Sequence, residues 1–119
     1  MKAQNILIVE DNVDIRSTLV EILNMEGHPT VEASNGAVAL QYVRNNKNPQ
    51  PSMVLLDMMM PVMNGRQFLD AFQKDPKNAN VPVIIISAVA DRADTRGATE
   101  CMRKPLDLTD LLDIIEKYS

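Results

Sequence analysis

Short apolar runs alternate with longer amphipathic stretches from one end of the chain to the other. Ile6-Leu7-Ile8-Val9 is an unbroken aliphatic run, the pattern of a strand buried on both faces. Asp11 and Asn12 offer caps for a first helix whose apolar positions Ile15, Leu19, Ile22 and Leu23 recur at helical spacing. Gly27 suits the left-handed position that ends it, and His28-Pro29 blocks continuation. A short strand follows over 30–33, then a helix capped by Ser34 or Asn35 and carrying Ala39, Leu40 and Val43. Met53-Val54-Leu55-Leu56 is the third buried run and stops at Asp57. After Asn64-Gly65 a third helix carries Phe68, Leu69 and Phe72, closed by Asp75-Pro76. Val83-Ile84-Ile85-Ile86 is the fourth strand, ending at Ser87. A weak fourth helix is expected over 91–96, held by alanines rather than large side chains, and a short fifth strand over 101–103. Asp107 caps a fifth helix with Leu108, Leu111, Leu112 and Ile115.

Five strands alternating with five helices predict a parallel sheet covered on both faces, because parallel strands need crossover connections. Right-handed crossovers would wind it into a three-layer α/β sandwich. In such sheets the cleft lies beyond the carboxyl ends of the strands. There the first strand delivers Glu10 and Asp11, the third Asp57, the fourth Ser87 and the fifth Lys104. Acids favour the first helical turn, so Glu10-Asp11 alone reads as a solvated helix start. Asp57 differs, because a carboxylate directly after four apolar residues must emerge at the sheet edge beside the others. Three carboxylates so placed repel one another, and a divalent cation relieves the repulsion. Hard oxygen donors with room for water suit Mg²⁺. A carboxylate in that setting can act as a nucleophile towards phosphorus, with Lys104 and Ser87 placed to contact the phosphoryl oxygens and Lys104 pairing with Asp57 at rest.

Composition narrows the picture further. The 119 residues fit one domain spanning 1–119, and the 45% apolar content is that of a globular chain. Twelve basic against sixteen acidic residues leave a net charge of −4, which argues against direct nucleic-acid binding. No run approaches the roughly 20 apolar residues of a membrane span. The N-terminus also lacks the long apolar core of a signal peptide, so a cytoplasmic protein without membrane contact is expected. The single cysteine, Cys101, has no internal disulfide partner. Met58-Met59-Met60 with Met63 reads as adaptable packing rather than a soft-metal site, since no Cys or His accompanies it.

The segments LIVEDN at 7–12, LLDMMMPVMNG at 55–65, IIISA at 84–88 and KP at 104–105 occur in one order and at one spacing. In these the sequence resembles the receiver domain of two-component response regulators, the CheY-like family, over essentially its full length. The resemblance implies a flavodoxin-like (βα)5 fold with strand order 2-1-3-4-5 and Mg²⁺-dependent phosphorylation of Asp57. The donor it implies is a sensor histidine kinase or a histidine phosphotransfer protein. It further implies that Asp11, Asp57 and the backbone carbonyl of Met59 ligate Mg²⁺ directly, while Glu10 acts through a water. Ser87 and Lys104 would contact the phosphoryl group, and the Lys104-Pro105 bond would be cis. Such a chain is a phospho-accepting signalling module, not a turnover enzyme, although it assists its own phosphorylation and dephosphorylation. Its readout would be a change in the face near the fourth and fifth helices, bound by a downstream protein target or by an output domain outside this chain.

Two departures from the family pattern stand out. The switch position that pairs with Ser87 is commonly Tyr or Phe and is Cys101 here, so an inward-flipping ring cannot report phosphorylation. Cys101 is expected as a small buried hydrophobe rather than a redox-sensitive thiol. Met59 and Val89, two residues beyond Asp57 and Ser87, stand where side chains flank the path of the hydrolytic water, and both are apolar. A long-lived phosphoryl group follows: its decay should be slower than in a Met59→Asn variant, and equal or faster decay would contradict this. Competing readings fit less well. A phosphatase of the haloacid dehalogenase type would carry an Asp at position 59. A flavodoxin-like electron carrier would carry a hydroxyl- and Gly-rich loop where Glu10-Asp11-Asn12 stands. A degenerate receiver would lack some of the five site residues, and all five are present.

Overall fold

Each buried run becomes a strand, and the alternation of side chains along it divides the core into two layers. A computed structural model describes residues 5–45, 47–58, 63–87 and 97–118. The strands are β1 (Ile6–Val9), β2 (Thr30–Ala33), β3 (Met53–Asp57), β4 (Val83–Ser87) and β5 (Glu100–Arg103). They pair in parallel in the order β2-β1-β3-β4-β5. The helices are α1 (Val13–Met25), α2 (Gly36–Arg44), α3 (Gly65–Gln73) and α4 (Leu108–Tyr118). The last of these is the fifth helix of the sequence reading. The fourth, over 91–96, lies outside the described residues. A 3₁₀ turn at Pro76–Asn78 follows α3. It extends the stop that Asp75-Pro76 was expected to make, with the Asp75 side chain accepting from the Lys77 amide at 3.1 Å.

The central strands are buried along their length because successive side chains enter opposite layers. Leu7, Val9, Val54, Leu56 and Ile85 pack with α2 and α3 around Phe68, Leu69 and Phe72. Ile6, Ile8, Leu55, Ile84 and Ile86 pack with α1 and α4 around Leu19, Leu23, Leu111 and Ile115. Met58 and Met63 lie against the first cluster as ordinary packing, while Met59 and Met60 are outside the described residues.

Local signals hold the helices at their ends. Asn12 and Asn35 accept from the amides of Ile15 and Val38, each at 3.0 Å. Asn64 and Gln67 form a reciprocal capping box at the start of α3. Helix α1 stops where Gly27 takes φ +85°. The amides of Gly27 and His28 then satisfy the carbonyls of Asn24 (3.1 Å) and Leu23 (2.9 Å), the paired bonds of a Schellman ending. Gly65 answers a different need. A Cβ there would stand 2.7 Å from Met58 Cα and 2.8 Å from the Asp57 carbonyl, so only glycine lets α3 begin so close to the end of β3.

Candidate functional site

Strand order decides which side chains meet. β1 and β3 are neighbours at the centre of the sheet, and β5 reaches the same edge by way of β4. Glu10 prolongs β1, its amide donating to the Ala33 carbonyl at 3.1 Å. Its side chain is thereby turned into the protein and is 2% exposed. Asp57 ends β3 beside Ile86 of β4 and is 4% exposed. Asp11, the first residue past Glu10, stays exposed. Carboxylate oxygens of Glu10, Asp11 and Asp57 all lie within 4.8 Å of one another.

The ammonium of Lys104 enters this cluster. Lys104 Nζ donates to Glu10 Oε1 at 2.8 Å and lies 3.7 Å from Asp57 Oδ1. The sequence pairs Lys104 with Asp57, and the structure gives Glu10 the closer contact. Burial works against the ammonium, but the bond to Glu10 and the charges of Asp57, Glu10 and Asp11 outweigh it. Its pKa is therefore held above the ordinary 10.5. Position 104 is fixed from the backbone too: the Lys104 amide donates to the Ser87 carbonyl at 2.9 Å, and the Lys104-Pro105 bond is cis. Ser87 ends β4 opposite Arg103, one residue past the partner of Asp57. Met59 lies outside the described residues, as does Val89.

Three carboxylates with one ammonium leave a formal charge of two negative units among hard oxygen donors. That donor set suits a small divalent cation and offers nothing to a soft one.

Cys101 corrects an expectation, for it is exposed rather than buried. β5 is an edge strand of the sheet. Glu100 and Met102 are partly covered, Met102 by the α1/α4 layer, whereas Cys101 and Arg103 alternate outward. The sequence reading also passed over Arg16, whose Nη1 donates to the Glu10 carbonyl at 2.8 Å. An arginine in the first turns of an amphipathic helix carries no mark that distinguishes it from a solvated one.

The sequence profile of the response regulator receiver domain matches residues 6–116. The chain belongs to that family. A receiver domain is a phosphorelay signalling module rather than an enzyme with a turnover substrate. Sporulation initiation phosphotransferase F of Bacillus subtilis is 35% identical, the alignment covering 99% of this chain and 95% of that protein. Protein PilH of Pseudomonas aeruginosa is 33% identical over 92% of this receiver and 93% of its own length. Among solved structures, the response regulator TrrA of Thermotoga maritima, in complex with Mg²⁺-BeF, superposes with a TM-score of 0.86 at 26% identity. That match covers 98% of this chain and 99% of TrrA. Among the described residues no helix is long and apolar enough to cross a membrane.

Proposed function

We propose that this receiver takes a phosphoryl group onto Asp57 from the phosphohistidine of a sensor histidine kinase or histidine phosphotransfer protein, with Mg²⁺ as cofactor. The observation that carries the reading is the convergence of the Glu10, Asp11 and Asp57 carboxylates around the Lys104 ammonium at one sheet edge. Asp57 is the acceptor because it ends the central strand and lies between the other groups. A carboxylate oxygen attacks phosphorus, the O–P bond forms as the P–N bond breaks, and the electron pair leaves with the donor imidazole. Lys104 exchanges a carboxylate for a phosphoryl oxygen, and the Ser87 hydroxyl donates to another. Asp11, Asp57 and the Met59 carbonyl would hold Mg²⁺, with Glu10 acting through water. When bound, the cation neutralises charge on the transferring oxygens. The same residues serve the hydrolytic step, in which water attacks phosphorus, the bond between Asp57 and phosphorus breaks and inorganic phosphate leaves, so the module acts on its own acyl phosphate.

Phosphorylation adds about −1.5 to −2 charge beside Ser87 and Lys104. Drawing both towards the new oxygens shifts a two-state balance on the side of β5 and α4, with the small Cys101 at the switch position. The occupant of that side is a downstream protein target, or an output domain outside residues 1–119. The working compartment is the cytoplasm, and neither nucleic acid nor membrane is contacted directly. A transfer assay tests the reading. Label on the histidine of a phosphotransfer protein should pass to the native chain with Mg²⁺, and not to Asp57→Asn or under chelation. Label that reaches the Asp57→Asn chain equally well would contradict it.

A further inference from the structure

We propose that Arg16 is a positioning residue for the acidic site, clamping the turn that carries Glu10 and Asp11 to the edge of the sheet. The inference builds on the Mg²⁺ reading above. Arg16 Nη1 donates to the Glu10 carbonyl at 2.8 Å, and Nε pairs with Glu32 Oε1 at 3.0 Å. Its side chain is 17% exposed, so the guanidinium lies mostly against protein. The carbonyl it meets stands where the chain leaves β1. The first helical carbonyl to find an amide is that of Asn12, which accepts from the Arg16 amide at 2.9 Å. Arg16 therefore supplies from its side chain the donor that the helix cannot give Glu10.

Glu32 makes this a clamp rather than a single bond. It lies in β2 opposite Ile8 of β1, on a frame tied to the same sheet. A guanidinium is flat and holds its donors at fixed angles, so anchoring one nitrogen on β2 aims another at the Glu10 carbonyl. Charge assistance makes both bonds stronger than neutral ones. Glu10 is then held at both ends, its carbonyl by Arg16 and its carboxylate by Lys104 and the Asn12 amide. A residue fixed at both ends cannot swing its carboxylate away, and Asp11 inherits the direction of the turn. Outer contacts of this kind typically change metal affinity about 10–100-fold when removed.

The test compares Mg²⁺ binding to the unphosphorylated chain, by amide NMR titration, for native, Arg16→Ala, Arg16→Lys and Tyr118→Phe. Arg16→Ala should weaken Mg²⁺ about tenfold. Phosphoryl uptake at saturating Mg²⁺ should stay within about twofold of native, since Arg16 touches no reacting atom. Arg16→Lys keeps the charge but reaches only one partner, and should recover less than half of the loss. Tyr118→Phe removes a bond to Glu100 far from the site and should leave Mg²⁺ affinity unchanged. Hydrogen exchange without metal gives an independent readout. The Asn12 amide, bonded to Glu10 Oε2 at 3.2 Å, should exchange at least about tenfold faster in Arg16→Ala while Leu23 is unaltered. Native Mg²⁺ affinity together with native exchange at Asn12 in Arg16→Ala would overturn the proposal. A native chain that ignores Mg²⁺ would remove the metal reading, and the exchange rates alone would then decide the role of Arg16.

Discussion

A chain carrying Lys104→Ala should take up phosphoryl groups at least about a hundredfold more slowly than the native chain, the usual loss when one donor to a developing anion is removed. Lys104 Nζ lies 2.8 Å from Glu10 Oε1 and 3.7 Å from Asp57 Oδ1. The same substitution should lower stability in the absence of divalent cations. Removing one partner of a buried ion pair costs roughly 3–5 kcal/mol. About 2 kcal/mol is expected here, because Lys104 is 19% exposed and water screens part of its charge. Added Mg²⁺ should return most of that loss, since the charge it supplies replaces the one deleted. Asp57→Asn should move stability the other way in chelator, because it relieves repulsion among the carboxylates. The pH dependence carries a definite sign. The pKa of Lys104 is raised in the folded chain, so its contribution is complete below 10.5 and is lost only as pH rises through the higher folded value. Uptake should therefore show no step from this residue near neutral pH. Thermal melts with and without Mg²⁺, together with uptake rates for the two variants, check these points. Uptake by Lys104→Ala within threefold of native would remove the lysine from the chemistry.

Phe68→Ala should destabilise the fold by about 3–5 kcal/mol, a large part of the roughly 5–15 kcal/mol available to a domain. Phe68 is 0% exposed and stacks on Phe72 with ring centroids 5.4 Å apart. Both rings fill the layer between the sheet and the α2/α3 pair. With only two Phe, two Tyr and no Trp in the chain, no other large ring can move into the space. Neighbouring aliphatic side chains are fixed by their own strands, so the cavity closes only in part. For a domain of this size the loss corresponds to roughly 12–20 °C in Tm. Val38→Ala, on the exposed side of α2, should shift Tm by no more than about 2 °C. A Phe68→Ala chain melting within about 4 °C of native would show that the ring is not a keystone of this layer.

Much of the architecture was legible because burial on both faces leaves an unmistakable trace. Runs such as Val83-Ile84-Ile85-Ile86 have no polar position to offer solvent, and that pattern belongs to central parallel strands. The caps were legible for a similar reason: Asn12, Asn35 and Asn64 act on amides three residues away. Edge strands are less transparent. Residues 101–103 read as a strand, yet which of them faces outward depends on register and on how far the covering helices extend. Cys101 accordingly proved exposed.

Within the site, residue identity pointed to the groups and to one of their pairings, but not to the closest one. Lys104 was expected at Asp57 and pairs with it at 3.7 Å, but Glu10 comes closer, at 2.8 Å, because it turns inward as an added rung of β1. Arg16 was illegible altogether. Its partner is a backbone carbonyl, which every residue possesses, and the strand order that sets β2 beside β1 does not say that Glu32 meets a side chain of α1.

The most direct measurement is the intact mass of the chain after incubation with Mg²⁺ and a small acyl phosphate, alongside Asp57→Asn and a chelated sample. The account predicts a gain of one phosphoryl group on the native chain and none in either control. A native chain that stays unmodified, or an Asp57→Asn chain that gains the same mass, would contradict it.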